Sequence, residues 1–201
     1  MQPTSSPAAL IGGRLGVDFA NISASSEYFS WEDLLHSLLL SRIISSERSD
    51  HLLALPQSDP HSADALLRKA HRLRASLRET FGAMVRREIP PRDWVEPINE
   101  TLRITEGHDE LVQEQGKWGI EFIAREGGLD WLLAAIARSA AEIVAEGASA
   151  RLRLCANPNC GLFFYDASRT RRRRWCSMAR CGNRHKVATF ARRHSSRRRE
   201  S

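Results

Sequence analysis

The chain has no apolar run approaching the roughly 18 residues that a membrane-crossing helix requires. Its start, MQPTSSPAALIGG, lacks the basic region and long apolar stretch of a secretory leader. Both absences predict a soluble, cytoplasmic protein. Catalytic signatures are missing too: there is no phosphate-cradling glycine loop, no HExxH pair and no GxSxG elbow. His36, His51, His61, His71 and His108 are scattered without metal-ligand spacing. The chain is therefore expected not to be an enzyme. Cysteine is scarce as well, and none occurs before Cys155.

The four cysteines that do occur form the pattern Cys155-x4-Cys160-x15-Cys176-x4-Cys181. Two close pairs separated by a short insert suit a tetrahedral zinc ion, because each pair turns two thiolates toward one point. In a reducing compartment such a quartet favours a metal over two disulfides. Four thiolates with no spare His or Asp beside them leave no open coordination position, so the expected metal is one structural Zn2+. Asn157-Pro158-Asn159 gives the first pair its turn chemistry. The flanking segments Arg151–Leu154 and Leu162–Tyr165 suit strands, and a helical pattern follows from about Ser177 to His194. A knuckle on a β-hairpin followed by a helix is the layout of a treble-clef finger.

Charge divides the 201 residues unevenly. From Arg151 onward there are 15 Lys/Arg and two acids, a net +13, whereas the preceding 150 residues carry a net −7. An acidic body is joined to a basic module that attracts phosphates. The body reads as mainly helical. Leu15, Val17 and Phe19 alternate as in a short strand. Ser30 and Asp33 resemble a helix N-cap, and helices are expected over Ser30–Ile43, Glu47–Leu55, His61–Glu88, Asp93–Leu102 and Leu129–Ala145. The segments 110–115 and 118–123 flank Gly116-Lys117 as a β-hairpin, and Gly147–Ala150 reads as a hinge. The resulting fold class is α+β: a mainly α-helical N-terminal domain (residues 1–148) with a small β-sheet, a treble-clef-like four-cysteine zinc finger (149–195) and a basic tail (196–201).

About 50 residues with Leu154, Phe163, Phe164, Trp175, Val187 and Phe190 as anchors make a marginal core. Zinc supplies the missing stabilisation, on the order of 10–16 kcal/mol in small fingers. Projected at about 100° per residue, Val187, Ala188, Phe190 and Ala191 form the apolar face of the last helix. Asn183 and Arg184 fall beside that arc, so Asn183 is expected to bond the knuckle backbone and Arg184 to pair with Asp166. His185, Lys186, Arg192 and Arg193 occupy the opposite face. Together with Arg171, Arg172, Arg173 and Arg174 in the insert they are the candidate nucleic-acid contacts.

The residues also carry a resemblance. Cys155–Cys160, Phe164–Arg169, Arg174–Met178 and Cys181-Gly182-Asn183-Arg184-His185-Lys186 resemble the CGNR zinc finger, with Asp166, Trp175, Gly182, Asn183 and Arg184 as structural signature residues. The opening Gly16-Val17-Asp18-Phe19-Ala20-Asn21 is similar to the start of the ABATE domain that precedes this finger in a bacterial family labelled stress-induced transcription regulators; its usual Asn-Thr is Asn21-Ile22 here. The resemblance implies zinc and suggests DNA binding, which would place the protein on the nucleoid. RNA or a protein is the alternative partner of the finger. A small-molecule effector and homodimerisation are further expectations for the N-terminal domain, where Asp18 and Asn21 are the candidate ligand contacts.

Overall fold

The computed structural model describes residues 10–23, 26, 28–104, 107–114, 117–124 and 128–197, and side chains outside 104–127 and 191–197. Six helices lead to a hairpin: α1 Leu15–Ala20, α2 Trp31–Leu40, α3 Ser46–Leu53, α4 Leu55–Ser58, α5 Pro60–Val85 and α6 Arg92–Ile104. Strands β1 Gly107–Glu114 and β2 Lys117–Ala124 pair antiparallel, with Glu114 opposite Lys117. Helix α7, Trp131–Glu146, then leads into a short hairpin of β3 Leu152–Leu154 and β4 Phe163–Tyr165, and α8 spans Asn183–Arg197.

Local chemistry explains most of these elements. Ser30 and Asp33 form a reciprocal capping box at the start of α2: the Ser30 hydroxyl accepts from the Asp33 N–H, and the Asp33 carboxylate accepts from the Ser30 N–H. Pro56 does not simply stop a helix. It sits in the first turn of α4, where its missing N–H costs nothing. Asp59 caps α5 through the Ser62 N–H, and Pro60 opens that helix. One stripe of α5, comprising Ala63, Leu66, Ala70, Leu73, Leu77 and Phe81, is buried and forms the spine of the core.

The expected strand at Leu15 is instead α1. Its buried residues are Gly16, Val17, Phe19 and Ala20, a helical spacing hidden in the sequence because two of the four are tiny. Gly16 is small for a reason: a Cβ there would lie 2.9 Å from the Ala140 backbone nitrogen, so α1 crosses α7 backbone to backbone. The return of Asp18 to accept from the Gly12 N–H at 2.6 Å also demands a turn in place of an extended chain.

Gly147–Ala150, read as a hinge, is a 3-10 turn packed in place. Ala150 lies against the core, and Arg87 donates to the Ala148 carbonyl at 2.8 Å. Beyond it, Leu152 and Phe163 belong to the same buried cluster as the helices, and the Phe163 ring meets Phe81 edge-on at 6.1 Å. The cysteine-bearing segment is thereby anchored in the core of the body.

Candidate metal centre and basic surface

The two cysteine pairs arrive from different local structures. Cys155 follows β3, and its N–H donates to the Leu162 carbonyl at 2.9 Å, closing a loop that carries Cys160. Gly161 adopts φ +64, a left-handed conformation that suits glycine at the exit of the knuckle. On the other side, Met178–Gly182 form one π-helical turn, in which the Gly182 N–H reaches back five residues to the Ser177 carbonyl at 3.1 Å. This turn carries Cys181 and feeds directly into α8.

The four sulfurs lie within 4.8 Å of one another. Cys160 and Cys176 Sγ are 3.6 Å apart, and Cys176 and Cys181 Sγ are 3.7 Å apart. A tetrahedron with Zn–S bonds of about 2.3 Å has S–S edges of about 3.8 Å, whereas a disulfide brings the atoms to about 2.0 Å. The cysteines are therefore unlinked thiols set at the spacing of a zinc tetrahedron. Among the described residues they are the one His/Cys/Asp/Glu group placed to hold a metal.

Donors surround the sulfurs. The Cys176 N–H points at Cys155 Sγ at 3.4 Å, and Asn157 Nδ2 points at Cys181 Sγ at 3.4 Å. Burial pushes the Cys160 thiol up to about 11 and, with the neighbouring sulfurs, drives Cys176 higher. At Cys181 burial is outweighed by hydrogen bonds from Asn157 and the neighbouring thiols, which lower it. Four thiolates in so small a space need a cation, and zinc supplies it. The cluster around them is small: Leu162 and Phe164 are buried with the cysteines, and Ile11 and Trp175 pack from outside. One structural zinc thus replaces the core that this segment lacks.

Asp166 is fully buried, and its partners differ from the expected Arg184. Its carboxylate accepts from the Ser168 hydroxyl at 2.6 Å, the Ser168 N–H at 3.1 Å and the Arg173 N–H at 3.0 Å, with Arg153 Nε at 3.3 Å. Burial alone would push its pKa up, but these donors prevail and hold it below the usual carboxylate range. A cross-strand signal for this pairing was present: Arg153 stands opposite Phe164, and Asp166 is the next residue on that face.

Asn183 and Arg184 are exposed at the start of α8 and do not face the knuckle. Val187 and Phe190, expected in the core, are 69% and 66% exposed. The first turns of α8 are exposed all round, from Asn183 through Ala188, so the apolar stripe of this helix is not a buried one. Gly182 and Trp175 do have the inward role: a Cβ on Gly182 would lie 2.5 Å from Met178 Sδ and 3.3 Å from the Trp175 ring. His185 packs against the Trp175 ring with centroids 4.7 Å apart, and Arg174 lies over the same ring at 5.4 Å.

Of the candidate nucleic-acid contacts, Arg171, Arg172, Arg174, His185 and Lys186 are exposed and Arg173 is half-buried. Arg173 Nε donates to the Trp175 carbonyl at 2.9 Å, and its Nη2 donates to the Cys176 carbonyl. It therefore braces the knuckle as well as carrying charge. Arg192 and Arg193 lie in α8, but their side chains fall outside the described residues, as does the 198–201 part of the tail.

Asn21 and Asp18 have internal partners. The Asn21 amide donates to the Phe163 carbonyl at 2.8 Å and accepts from the Phe163 N–H at 2.9 Å, extending β4 sideways like one residue of a strand. Asp18 holds the 11–13 segment, whose Gly12 carbonyl accepts from the Tyr165 N–H at 2.7 Å. Burial outweighs the hydrogen bonds from Gly12, Gly13 and Ile11, so the Asp18 carboxyl is pushed up to about 6. Arg14 and Tyr165 both grip Glu146, at 2.9 and 2.5 Å. Half-buried Arg78 donates to the carbonyls of Ala20 at 3.1 Å and Gly161 at 3.4 Å. Sequence reasoning missed these arginine bridges because each joins positions far apart in the chain.

A four-cysteine knuckle on a hairpin, fused to a helical body and flanked by arginines, defines a zinc-finger module carried on a helical domain. The ABATE family, described as "Putative stress-induced transcription regulator", matches residues 13–147, and the CGNR zinc finger matches residues 151–194. The chain belongs to the ABATE family and carries a C-terminal CGNR zinc finger. No curated protein matches it. No described helix is long and apolar enough to cross a membrane.

Proposed function

We propose that the protein is a non-catalytic, cytoplasmic bacterial transcription regulator that grips DNA through its zinc-built basic surface. The observation that carries this reading is the exposure of α8. Residues Asn183–Ala188 are all exposed, so the first turns of the helix present Arg184, His185, Lys186 and the apolar Val187 around its circumference. A helix this exposed contributes little to the core and suits insertion into a groove. In the major groove, cationic side chains reach guanine edges and apolar groups meet thymine methyls. Exposed Arg171, Arg172 and Arg174 in the insert are placed to hold phosphates and set the register. The hairpin, knuckle and following helix have the treble-clef arrangement, with zinc as its fixed point.

Selection from a genomic DNA library with zinc-loaded protein, at physiological salt and with an RNA competitor, tests the proposal. Enrichment of a short duplex motif is the expected result. Retention of the RNA, or no enrichment, refutes it.

A further inference from the structure

Where the end of α5, the 3-10 turn and the finger hairpin meet, a cleft of about 550 Å³ opens. Arg87, Arg151, Arg153, Arg171, Arg173 and Arg174 line it, against the single carboxylate of Asp166. That carboxylate is fully buried and already shared between Ser168, Arg173 and Arg153. The cleft therefore holds a large excess of positive charge between low-dielectric walls, which focuses the field on any anion that enters.

The guanidinium groups are also held in position. Arg87 Nη1 donates to the Ala148 carbonyl at 2.8 Å, and Arg153 Nη2 donates to the Arg171 carbonyl at 2.6 Å. Each guanidinium has five N–H donors in a planar fork, so each keeps further donors after these bonds. Arg87 takes left-handed backbone, at φ 66, as the residue that closes α5: its N–H donates to the Met84 carbonyl and the Glu88 N–H to the Ala83 carbonyl, both at 3.0 Å. Apolar Val85, Leu152 and Leu154 supply part of the wall. The volume lies in the range of small-molecule pockets, and sites of this kind form preferentially where two structural units meet.

We infer that this cleft binds a small organic di- or triphosphate, bridging the helical body and the finger. The excess charge matches a polyphosphate better than a dicarboxylate, and arginine forks pair with phosphate oxygens two at a time. A concave site walled from both sides takes a compact ligand, whereas the DNA surface of α8 is convex. The inference goes beyond DNA binding and does not depend on it.

Calorimetry on the zinc-loaded full chain at physiological salt, with inorganic pyrophosphate as the probe, tests it. The expected result is saturable binding that weakens at least about tenfold in Arg87→Gln and in Arg151→Gln. The same probe should bind within about twofold of the parent in Arg172→Gln, which removes an arginine outside the cleft while making the same charge change. Zinc content and melting temperature of each variant establish that it is folded. Should Arg151→Gln fail to fold, Arg87→Gln decides alone, because its side chain is exposed at the rim. No saturable binding, or an equal loss in Arg172→Gln, overturns the inference. So does competition in which a DNA duplex displaces pyrophosphate and depends equally on Arg87 and Arg151, since the cleft would then hold nucleic-acid backbone. Failure of Lys186→Gln and Arg172→Gln to weaken DNA binding bears on the proposed function alone.

Discussion

Replacing Asn21 by alanine isolates the claim that the finger and the body form one structure. Asn21 is 7% exposed, and both polar ends of its amide are occupied by the backbone of Phe163 at 2.8 and 2.9 Å. Alanine leaves one N–H and one C=O of β4 without partners inside the protein. Each stranded buried group costs about 1–3 kcal/mol, so Asn21→Ala should lose roughly 2–6 kcal/mol. Asn21→Asp should cost at least as much, because it turns an acceptor toward the Phe163 carbonyl. The loss should also be felt at the metal, since β4 leads directly away from the knuckle. Every 1.4 kcal/mol is about a factor of ten in an equilibrium, so with the full loss felt at the knuckle, zinc release to a metallochromic dye should accelerate by about thirtyfold or more. Urea unfolding of the zinc-loaded protein measures the first effect and dye kinetics the second. A stability change below about 0.5 kcal/mol, the scale of an ordinary surface substitution, would refute the reasoning. So would unchanged zinc release.

Three further outcomes follow from the same contacts. Gly16→Ala places a methyl group against the Ala140 backbone, and overpacking of this kind should cost about 1–3 kcal/mol in thermal or urea unfolding. Asp18 has its carboxyl raised to about 6 in the folded protein, so its contribution to stability is largest at acid pH and is lost as pH rises through 6. Between pH 5 and 7.5 that loss amounts to about 1–1.5 kcal/mol. Asp18→Asn keeps the acceptor for Gly12 but cannot ionise, so its stability relative to the parent should rise over that interval; a constant difference would rule the effect out. Cys176→Ser, or chelation of the metal, should remove zinc measured by elemental analysis and unfold the knuckle. Because Leu152 and Phe163 lie in the core of the body, the helical part should also melt at lower temperature, and an unchanged melting curve would contradict that shared core.

The metal centre was legible in the sequence because cysteine spacing is a local code: four ligands, two turns and an insert specify the site whatever surrounds it. The capping box at Ser30 and the long apolar stripe of α5 are local in the same sense. What escaped the sequence depends on distant contacts or on helical phase. Helix α1 resembled a strand because Gly16 and Ala20 bury backbone and a methyl, not large side chains. Arg184 was misassigned to Asp166 because the face of α8 expected to be buried is exposed, as are all residues from Asn183 to Ala188. Asn21 reads as a turn or ligand residue until β4 is brought beside it by the fold. Two of the cationic residues of the cleft, Arg87 and Arg151, carried no signal of their own, since α5 and the β3 hairpin meet only in three dimensions.

The most direct test of the zinc-held basic surface as a DNA-gripping device is the salt dependence of binding. For the zinc-loaded protein on its selected duplex, engagement of about six phosphates predicts that log affinity falls against log salt with a slope of roughly −5. A flat response would contradict the account.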